Sequence, residues 1–159
     1  MNPHLLTANE LGVRLEIVNG IPLWEAQPVY KHQKAIDRIR ASIAPVGPEA
    51  CGCIHASDVY VSFPDSSLKR PDIAIFRREP DEEDEAITLV PEAVIEVISK
   101  GYEYKDLEIG PGFYLAQGVK DVVVFNPYTL AVLHVRRDGT EQGVSPVDIT
   151  LECGCRVRV

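Results

Sequence analysis

Two carboxylates, Asp72 and Glu96, are placed where they could share one divalent metal ion. Asp72 begins a segment that reads as a strand, residues 72–76, and Glu96 lies inside the next apolar segment, residues 93–99. If these strands pair, the two side chains converge on one point. Carboxylate oxygens, a backbone carbonyl and water suit Mg²⁺ or Mn²⁺. Such an ion can acidify a bound water and stabilise the charge that develops on a phosphate during hydrolysis.

Spacing alone favours a structural explanation for the same two acids. In that interpretation Glu96 is paired with a buried arginine or lysine, and Asp72 caps a turn. An acid inside an apolar strand is a weak motif by itself. Other features of the sequence have to decide between the two interpretations.

The flanking residues predict the elements that would position these acids. Alternation of apolar and polar residues from Val13 to Trp24 around Asn19-Gly20 predicts an opening β-hairpin. A helix is predicted from Lys31 to Ala44, ending before Pro45. Its apolar face consists of four residues at helical spacing: His32, Ile36, Ile39 and Ile43.

The remaining pattern predicts strands and one interrupted helix. Alternation at residues 57–63 predicts a strand beside residues 72–76, and the continuous apolar run at 93–99 predicts a central strand covered on both faces. Residues 106–117 predict a helix that starts late or is kinked, because Gly110, Pro111 and Gly112 interrupt it. Strands at 122–125 and 130–136 and one or two edge strands at 149–159 complete a single expected domain, residues 1–159.

Charge and composition favour a soluble, cytoplasmic protein without a nonspecific phosphate-binding surface. The formal net charge is −8, and no apolar run approaches the length of a membrane span or a secretion signal. Residues 79–85 contain six acids in seven positions, which predicts a solvated loop. Removing those six charges from −8 leaves only −2, so a local basic groove is compatible with the sequence.

The four cysteines occur as two Cys-Gly-Cys units, residues 51–53 and 153–155. One intervening residue is a poor fit to the usual spacing of structural zinc ligands. Disulfides are not expected without a secretion signal. We therefore expect four small buried thiols in or beside strands, with a zinc-stabilised protein as the alternative.

Two longer runs and the residues that follow them carry a family resemblance. The runs are Arg70-Pro71-Asp72-Ile73-Ala74-Ile75-Phe76 and Pro91-Glu92-Ala93-Val94-Ile95-Glu96-Val97-Ile98-Ser99, followed by Tyr104, Asp106, Tyr114, Gly118 and Val119. Their order and spacing resemble the Uma-type family of restriction endonucleases in the PD-(D/E)XK nuclease superfamily. Gly20 and His32 also fit, so the resemblance covers about residues 12 to 137.

The resemblance implies an α/β, restriction-endonuclease-like fold, in which helices flank a central mixed sheet and an N-terminal hairpin precedes it. It implies Asp72 and Glu96 as catalytic, metal-binding acids, Mg²⁺ or Mn²⁺ as cofactor, and DNA as substrate. His32 would lie near the site, although its position on the apolar face also fits an ordinary core histidine. A homodimer is expected because two-fold symmetry suits the cutting of two strands.

The sequence departs from the family pattern at one functional position. The family lysine expected four residues after Asp106 is replaced by Gly110. Lys100, four residues after Glu96, is the substitute that we expect if the strand continues past residue 99, and Lys105 and Asp106 are accessory candidates. The loss of the lysine also supports an alternative, a degenerate nuclease fold retained as a nucleic-acid-binding or protein-interaction module.

Overall fold

A six-stranded mixed sheet forms the centre of the computed structural model, which describes residues 3–103 and 105–159. Tyr104, one of the residues in the family pattern, lies outside the described residues. Within this sheet, the strand that begins at Ala93 runs parallel to the strand that begins at Asp121, and the other neighbouring strands are antiparallel. In spatial order the strands are β11 (Gly139–Val144), β10 (Ala131–Arg136), β9 (Asp121–Phe125), β8 (Ala93–Val97), β7 (Ile73–Phe76) and β4 (Ile54–Ala56).

The predicted opening hairpin is confirmed, with β1 at Leu15–Val18 and β2 at Ile21–Trp24. Asn19 and Gly20 have φ angles of 51° and 78°, the left-handed conformation that a tight hairpin turn requires. Two short strands, β6 (Leu68–Lys69) and β5 (Val61–Ser62), extend this hairpin into a four-stranded sheet. A helix that the sequence did not indicate, α1 (Pro3–Glu10), packs Leu5 and Ala8 against β1.

Helix α2 covers one face of the central sheet, as predicted, but it spans Tyr30–Ala41 rather than residues 31–44. Its buried residues Ile36 and Ile39 pack in one cluster with Ile73, Ile95 and other residues of β7 and β8, and Ile43 packs against the same cluster. The helix ends early because Ala44–Pro45 form a short strand, β3. This strand pairs with a strand near the C-terminus.

The single strand predicted at residues 57–63 is wrong. The chain instead forms β4 before this segment and β5 inside it, and these two strands belong to different sheets. Asp58 adopts a φ of 58°, which interrupts extended structure. Its carboxylate pairs with Arg14 and lies 3.3 Å from Arg70, so tertiary ion pairs override the local alternation.

The C-terminal segment forms two strands, β12 (Asp148–Thr150) and β13 (Cys155–Arg158), in a three-stranded sheet with β3. The expectation of four free thiols is wrong here, because Cys53 and Cys155 form a disulfide with a Cα–Cα separation of 5.9 Å. Cys51 and Cys153 are free. A backbone hydrogen bond of 2.9 Å from Cys51 N to Cys153 O brings the two Cys-Gly-Cys units together.

The interrupted helix is confirmed as a π-helical segment, Lys105–Ile109, followed by α3, Gly110–Ala116. Pro111 lies in the first turn of α3, as predicted from its missing amide. The acidic run at residues 79–85 has no regular structure and is almost entirely exposed. Within the described ranges, no helix is long and apolar enough to cross a membrane.

Candidate active site

Strands β7 and β8 are neighbours, as predicted, and their register brings Asp72 and Glu96 together. Ile73 pairs with Ile95, so Asp72 at the start of β7 faces Glu96 one residue further along β8. The backbone amide of Val97 donates to Asp72 Oδ2 at 2.7 Å, and the amide of Asp72 approaches Glu96 Oε2 at 3.4 Å. Each carboxylate is therefore held by the backbone of the other residue's strand.

Glu96 is a buried acid whose neighbours oppose its ionisation. Its side chain is only 4% exposed, and burial together with the charges of Asp72 and Asp106 raises the pKa of Glu96 well above its usual range. The hydroxyl of Tyr114, on α3, donates to Glu96 Oε1 at 2.6 Å. Burial and the Glu96 carboxylate raise the pKa of Tyr114, so the phenol keeps its proton and fixes the orientation of Glu96.

His32 lies beside Asp72, at the first turn of α2. Its Nε2 atom is 3.3 Å from Asp72 Oδ2, the oxygen that also accepts the Val97 amide. Burial lowers the pKa of His32, but hydrogen bonding to Asp72 and the charge of that carboxylate outweigh burial, so the net shift is upward. The contacts with His32 and Val97 are both made by Asp72 Oδ2, and no hydrogen bond from a described residue to Asp72 Oδ1 is found.

Asp106 and Lys105 lie at the start of the π-helical segment and belong to the same cleft. Burial raises the pKa of Asp106 to about 6, and neighbouring acids add to that shift while Lys105 opposes it. Burial lowers the pKa of Lys105, but Glu16 and Glu96 more than offset it and the net shift is upward. The ammonium group of Lys105 is therefore charged at neutral pH.

A buried ion-pair cluster, which sequence reasoning missed, holds the ammonium group of Lys105. Glu16 on β1 is fully buried and contacts Lys69 Nζ at 2.5 Å and Lys105 Nζ at 3.2 Å. Glu25 lies 3.8 Å from Lys105, and burial and hydrogen bonding to Glu16 raise the pKa of Glu25 to about 9. The sequence signal for this cluster was limited to Glu16, a charged residue within the alternating segment from Val13 to Trp24.

The structure does not bring Lys100 to the carboxylates, which corrects the expectation that it replaces the family lysine. Strand β8 ends at Val97, and Gly101 turns the chain with a φ of 88°. Lys100 is exposed, and within the described part of the chain it forms no ion pair with Asp72 or Glu96. Lys105 lines the cleft instead.

Gly110, which occupies the position of the family lysine, lies on the face of α3 that is directed towards Glu96. Gly110 precedes Tyr114 by four residues, one helical turn, so both lie on the side of the helix that faces Glu96. A Cβ atom at Gly110 would meet its nearest neighbour, the carbonyl oxygen of Lys105, at 3.4 Å. The space around position 110 therefore does not require glycine.

The donor set in this cleft fits a hard divalent cation. Asp72, Glu96 and Asp106 line the same cleft, and the charges of neighbouring acids raise the pKa of Glu96 and Asp106. A cation would relieve this repulsion, and carboxylate oxygens are the ligands that Mg²⁺ and Mn²⁺ prefer. Asp72 and Glu96 are the residues that would hold the ion.

Comparison with known proteins gives a family match and a solved structure with a similar fold. Residues 4–152 match the family Uma2, described as "Putative restriction endonuclease". None of the curated proteins compared with the chain matches it. The fold is similar to a crystal structure described as "a putative nuclease belonging to DUF820 from Anabaena variabilis ATCC 29413", with 20% identity, a TM-score of 0.66, and coverage of 87% of this chain and 81% of that one.

The structural likeness confirms the predicted nuclease-like α/β fold with its central mixed sheet. The family match extends over nearly the whole chain, including the segments that contain Asp72, Glu96 and Tyr114. It confirms the resemblance seen in the sequence. This chain belongs to the Uma2 family, within the restriction-endonuclease-like superfamily.

Proposed function

We propose that this protein is a metal-dependent endonuclease that hydrolyses phosphodiester bonds of DNA, with Asp72 and Glu96 as its metal ligands. The observation that carries the proposal is the placement of these two acids across adjacent strands, in a cleft that Asp106 and Lys105 also line. Two acids that only capped a turn or balanced a buried cation would not need a third carboxylate beside them. Membership of a nuclease family supports the same reaction class.

When bound, Mg²⁺ or Mn²⁺ would supply an acidified water and a Lewis acid for the scissile phosphate. The protein's own contribution is to hold the ligands in a fixed orientation. The Val97 amide and His32 fix Asp72, and the hydroxyl of Tyr114 fixes Glu96. Because these contacts already order both side chains, little side-chain conformational freedom would be lost when the metal binds.

Lys105 is the residue that we assign to electrostatic assistance, in place of Lys100. Its ammonium is charged at neutral pH and interacts electrostatically with Glu96 and Asp106. A charged ammonium cannot act as a general base, but it can stabilise negative charge on a phosphate in the transition state. His32, with its pKa raised by Asp72, is an accessory donor beside the same carboxylate.

Helix α2 supplies a basic surface next to the site, which supports DNA as the substrate despite the net negative charge. The helix contains one acidic residue, Asp37, and four basic ones: Lys31, Lys34, Arg38 and Arg40. Lys31 and Lys34 are exposed on the turn that contains His32. Positive charge close to the cleft would bind the phosphate backbone locally. A homodimer, as part of this proposal, would place two such sites on duplex DNA.

The experiment that tests the proposal is a cleavage assay of the purified chain on supercoiled plasmid and on single-stranded DNA. Mg²⁺ or Mn²⁺ should convert the plasmid to nicked and linear forms, and a chelator should stop the reaction. Cleavage that continues in the presence of excess chelator would contradict metal dependence. An inactive wild type with both metals on both substrates would favour the degenerate-nuclease alternative.

Replacing Lys105 with methionine is expected to lower the cleavage rate about 10- to 100-fold, because one electrostatic contributor is lost. Lys100→Met is the matched control, since that lysine is exposed and outside the cleft. Initial rates at saturating metal should show a loss for Lys105→Met and none for Lys100→Met. The reverse order would return the role to Lys100.

Metal binding is expected to stabilise the protein more at pH 8 than at pH 5. The folded-state pKa values of Asp106 and Glu96 are raised, so the stability that their protonated forms contribute is present at low pH and is lost as pH rises through those values. Metal bound to the ionised acids would offset that loss. At about 100 times the Kd of Mn²⁺, the melting temperature should rise by about 5 to 10 °C at pH 8.

Thermal unfolding with and without Mn²⁺ at both pH values measures this difference. Asp72→Asn is the control, because it removes a ligand and should abolish the metal-dependent shift at pH 8. An equal or larger shift at pH 5 would indicate that the ion binds elsewhere.

A further inference from the structure

The two Cys-Gly-Cys units form a second cluster of metal-ligating side chains, separate from the carboxylates. The cluster lies at the end of β7, where Cys51 Sγ approaches the carbonyl oxygen of Phe76 at 3.8 Å. Asp72 precedes the opposite end of the same strand. The nuclease proposal makes no use of these cysteines, and the two sites can be tested independently.

The four sulfur atoms occupy one small volume. The Sγ atoms of Cys51, Cys153 and Cys155 all lie within 4.8 Å of one another, and Cys51 and Cys155 are 3.5 Å apart. Cys53 is disulfide-bonded to Cys155 and so belongs to the same cluster. In a tetrahedral zinc site with Zn–S bonds of about 2.3 Å, sulfur atoms are separated by about 3.8 Å. The 3.5 Å separation of Cys51 and Cys155 is close to that value, and reduction of the Cys53–Cys155 disulfide would allow those two sulfur atoms to move apart to it.

The backbone is built to bring the two units together. Gly154 has a φ of 87°, and a Cβ atom there would lie 2.7 Å from Ala50 Cα, so only glycine allows this approach. The amide of Val46 donates to Gly154 O at 2.8 Å. The amide of Cys53 donates to Cys51 Sγ at 3.4 Å, which is the kind of N–H contact that stabilises a metal-bound thiolate.

We propose that the reduced chain binds one Zn²⁺ ion through the four thiolates of Cys51, Cys53, Cys153 and Cys155. A set of four thiolate ligands selects zinc over the hard cations that suit the carboxylate site. The disulfide first accepts two electrons and two protons from a dithiol reductant, which becomes a cyclic disulfide. Zinc then replaces the four thiol protons, which are released to solvent.

The surroundings of the cluster suit this charge change. Four thiolates and one Zn²⁺ carry a net charge of −2, and the guanidinium of Arg77 interacts electrostatically with Cys51 and Cys153. Arg77 also contacts Glu92 at 3.0 Å, so its charge is partly shared. The opposite side of the cluster is apolar, because Cys153 and Cys155 pack in the same core as Ile73 and Ile75.

Zinc at this position would join the C-terminal sheet to the central sheet. One unit lies before β4, at the edge of the six-stranded sheet, and the other forms the turn between β12 and β13. Helix α2 contacts β13 and contains His32. The ion would therefore stabilise β13, against which α2 packs, without contacting the carboxylate cleft that α2 borders.

The test is to purify the full chain with dithiothreitol, remove metal, and titrate it with Co²⁺, a spectroscopic substitute for zinc. The expected result is thiolate-to-cobalt charge transfer in the near ultraviolet, with intense tetrahedral d–d bands that about one equivalent of Zn²⁺ abolishes. Cys51→Ser should weaken zinc binding by at least about a hundredfold, more than the loss of an outer partner costs. The wild-type spectrum is decisive even if that variant folds poorly.

Asp72→Asn is the matched control and should leave the cobalt spectrum unchanged, since it alters only the carboxylate site. A reduced wild-type chain with four titratable thiols and no thiolate–cobalt absorption would overturn the proposal. Loss of the spectrum in Asp72→Asn would overturn it as well. A disulfide that resists reduction in the native state, with no zinc bound, would identify the cluster as a structural disulfide only.

Discussion

Asp72→Asn is expected to lower metal-dependent DNA cleavage by at least about a thousandfold. The reason is that the amide cannot supply the anionic oxygen of a hard-cation ligand, and the electrostatic and water-activating effects of the ion are lost with it. The substitution keeps the size of the side chain, and the amide oxygen can still accept the hydrogen bond from Val97. Initial rates on supercoiled plasmid over a range of Mn²⁺ concentrations measure the effect.

Glu96→Gln is the companion substitution and should cause a loss of similar size. Its amide oxygen can still accept the Tyr114 hydroxyl, so the buried contact survives and folding is retained. Asp138→Asn, in the exposed turn between β10 and β11, is the control for removing one negative charge. If Asp72→Asn and Glu96→Gln cleave at the rate of this control, neither acid is a ligand in the reaction.

The central strands and the two acids could be predicted because their signals are local. The apolar run at residues 93–99 identifies a buried strand, and Glu96 is the one carboxylate within it. Burying a charged group is energetically costly, which marks Glu96 as a residue with a specific role. Asn19 and Gly20 identify the hairpin by their tolerance of positive φ. Strand pairing then followed from the order of the segments, and β7 and β8 are indeed neighbours.

The rest depended on contacts between residues far apart in the sequence. Asp58 breaks the predicted strand because Arg14 and Arg70, from other segments, hold its carboxylate. Lys100 was chosen on the assumption that β8 continues, whereas Gly101 turns the chain away. Lys105 approaches the cleft because Glu16, 89 residues earlier, draws its ammonium inward. No periodicity within one segment encodes such pairings.

The buried pair of Lys69 and Glu16 should dominate the stability of this part of the molecule. Both side chains are almost fully buried, and Lys69 also lies 5.1 Å from the ring centre of Tyr114. Burial would raise the pKa of Glu16, but Lys69 and the other hydrogen-bonding and charged neighbours hold it below its usual value. Glu16 therefore stays ionised inside the protein only while its cations are present.

Lys69→Met is expected to lower the free energy of unfolding by about 3 to 5 kcal/mol, the cost of leaving one member of a buried ion pair without its partner. Methionine fills a similar volume, so most of the loss is electrostatic rather than a cavity. Urea denaturation followed by circular dichroism at neutral pH measures it. Lys120→Met, at an exposed position just before β9, is the matched control and should change stability by less than about 0.5 kcal/mol.

The double variant Lys69→Met with Glu16→Gln separates the charge effect from packing. With the buried negative charge removed, the second substitution should recover part of the stability that the first one lost, because an uncompensated ion costs more than a neutral amide. A double variant less stable than Lys69→Met would contradict this account, since Glu16 would then stabilise the fold without Lys69. In that case Lys105, at 3.2 Å from Glu16 Oε1, would be its principal partner.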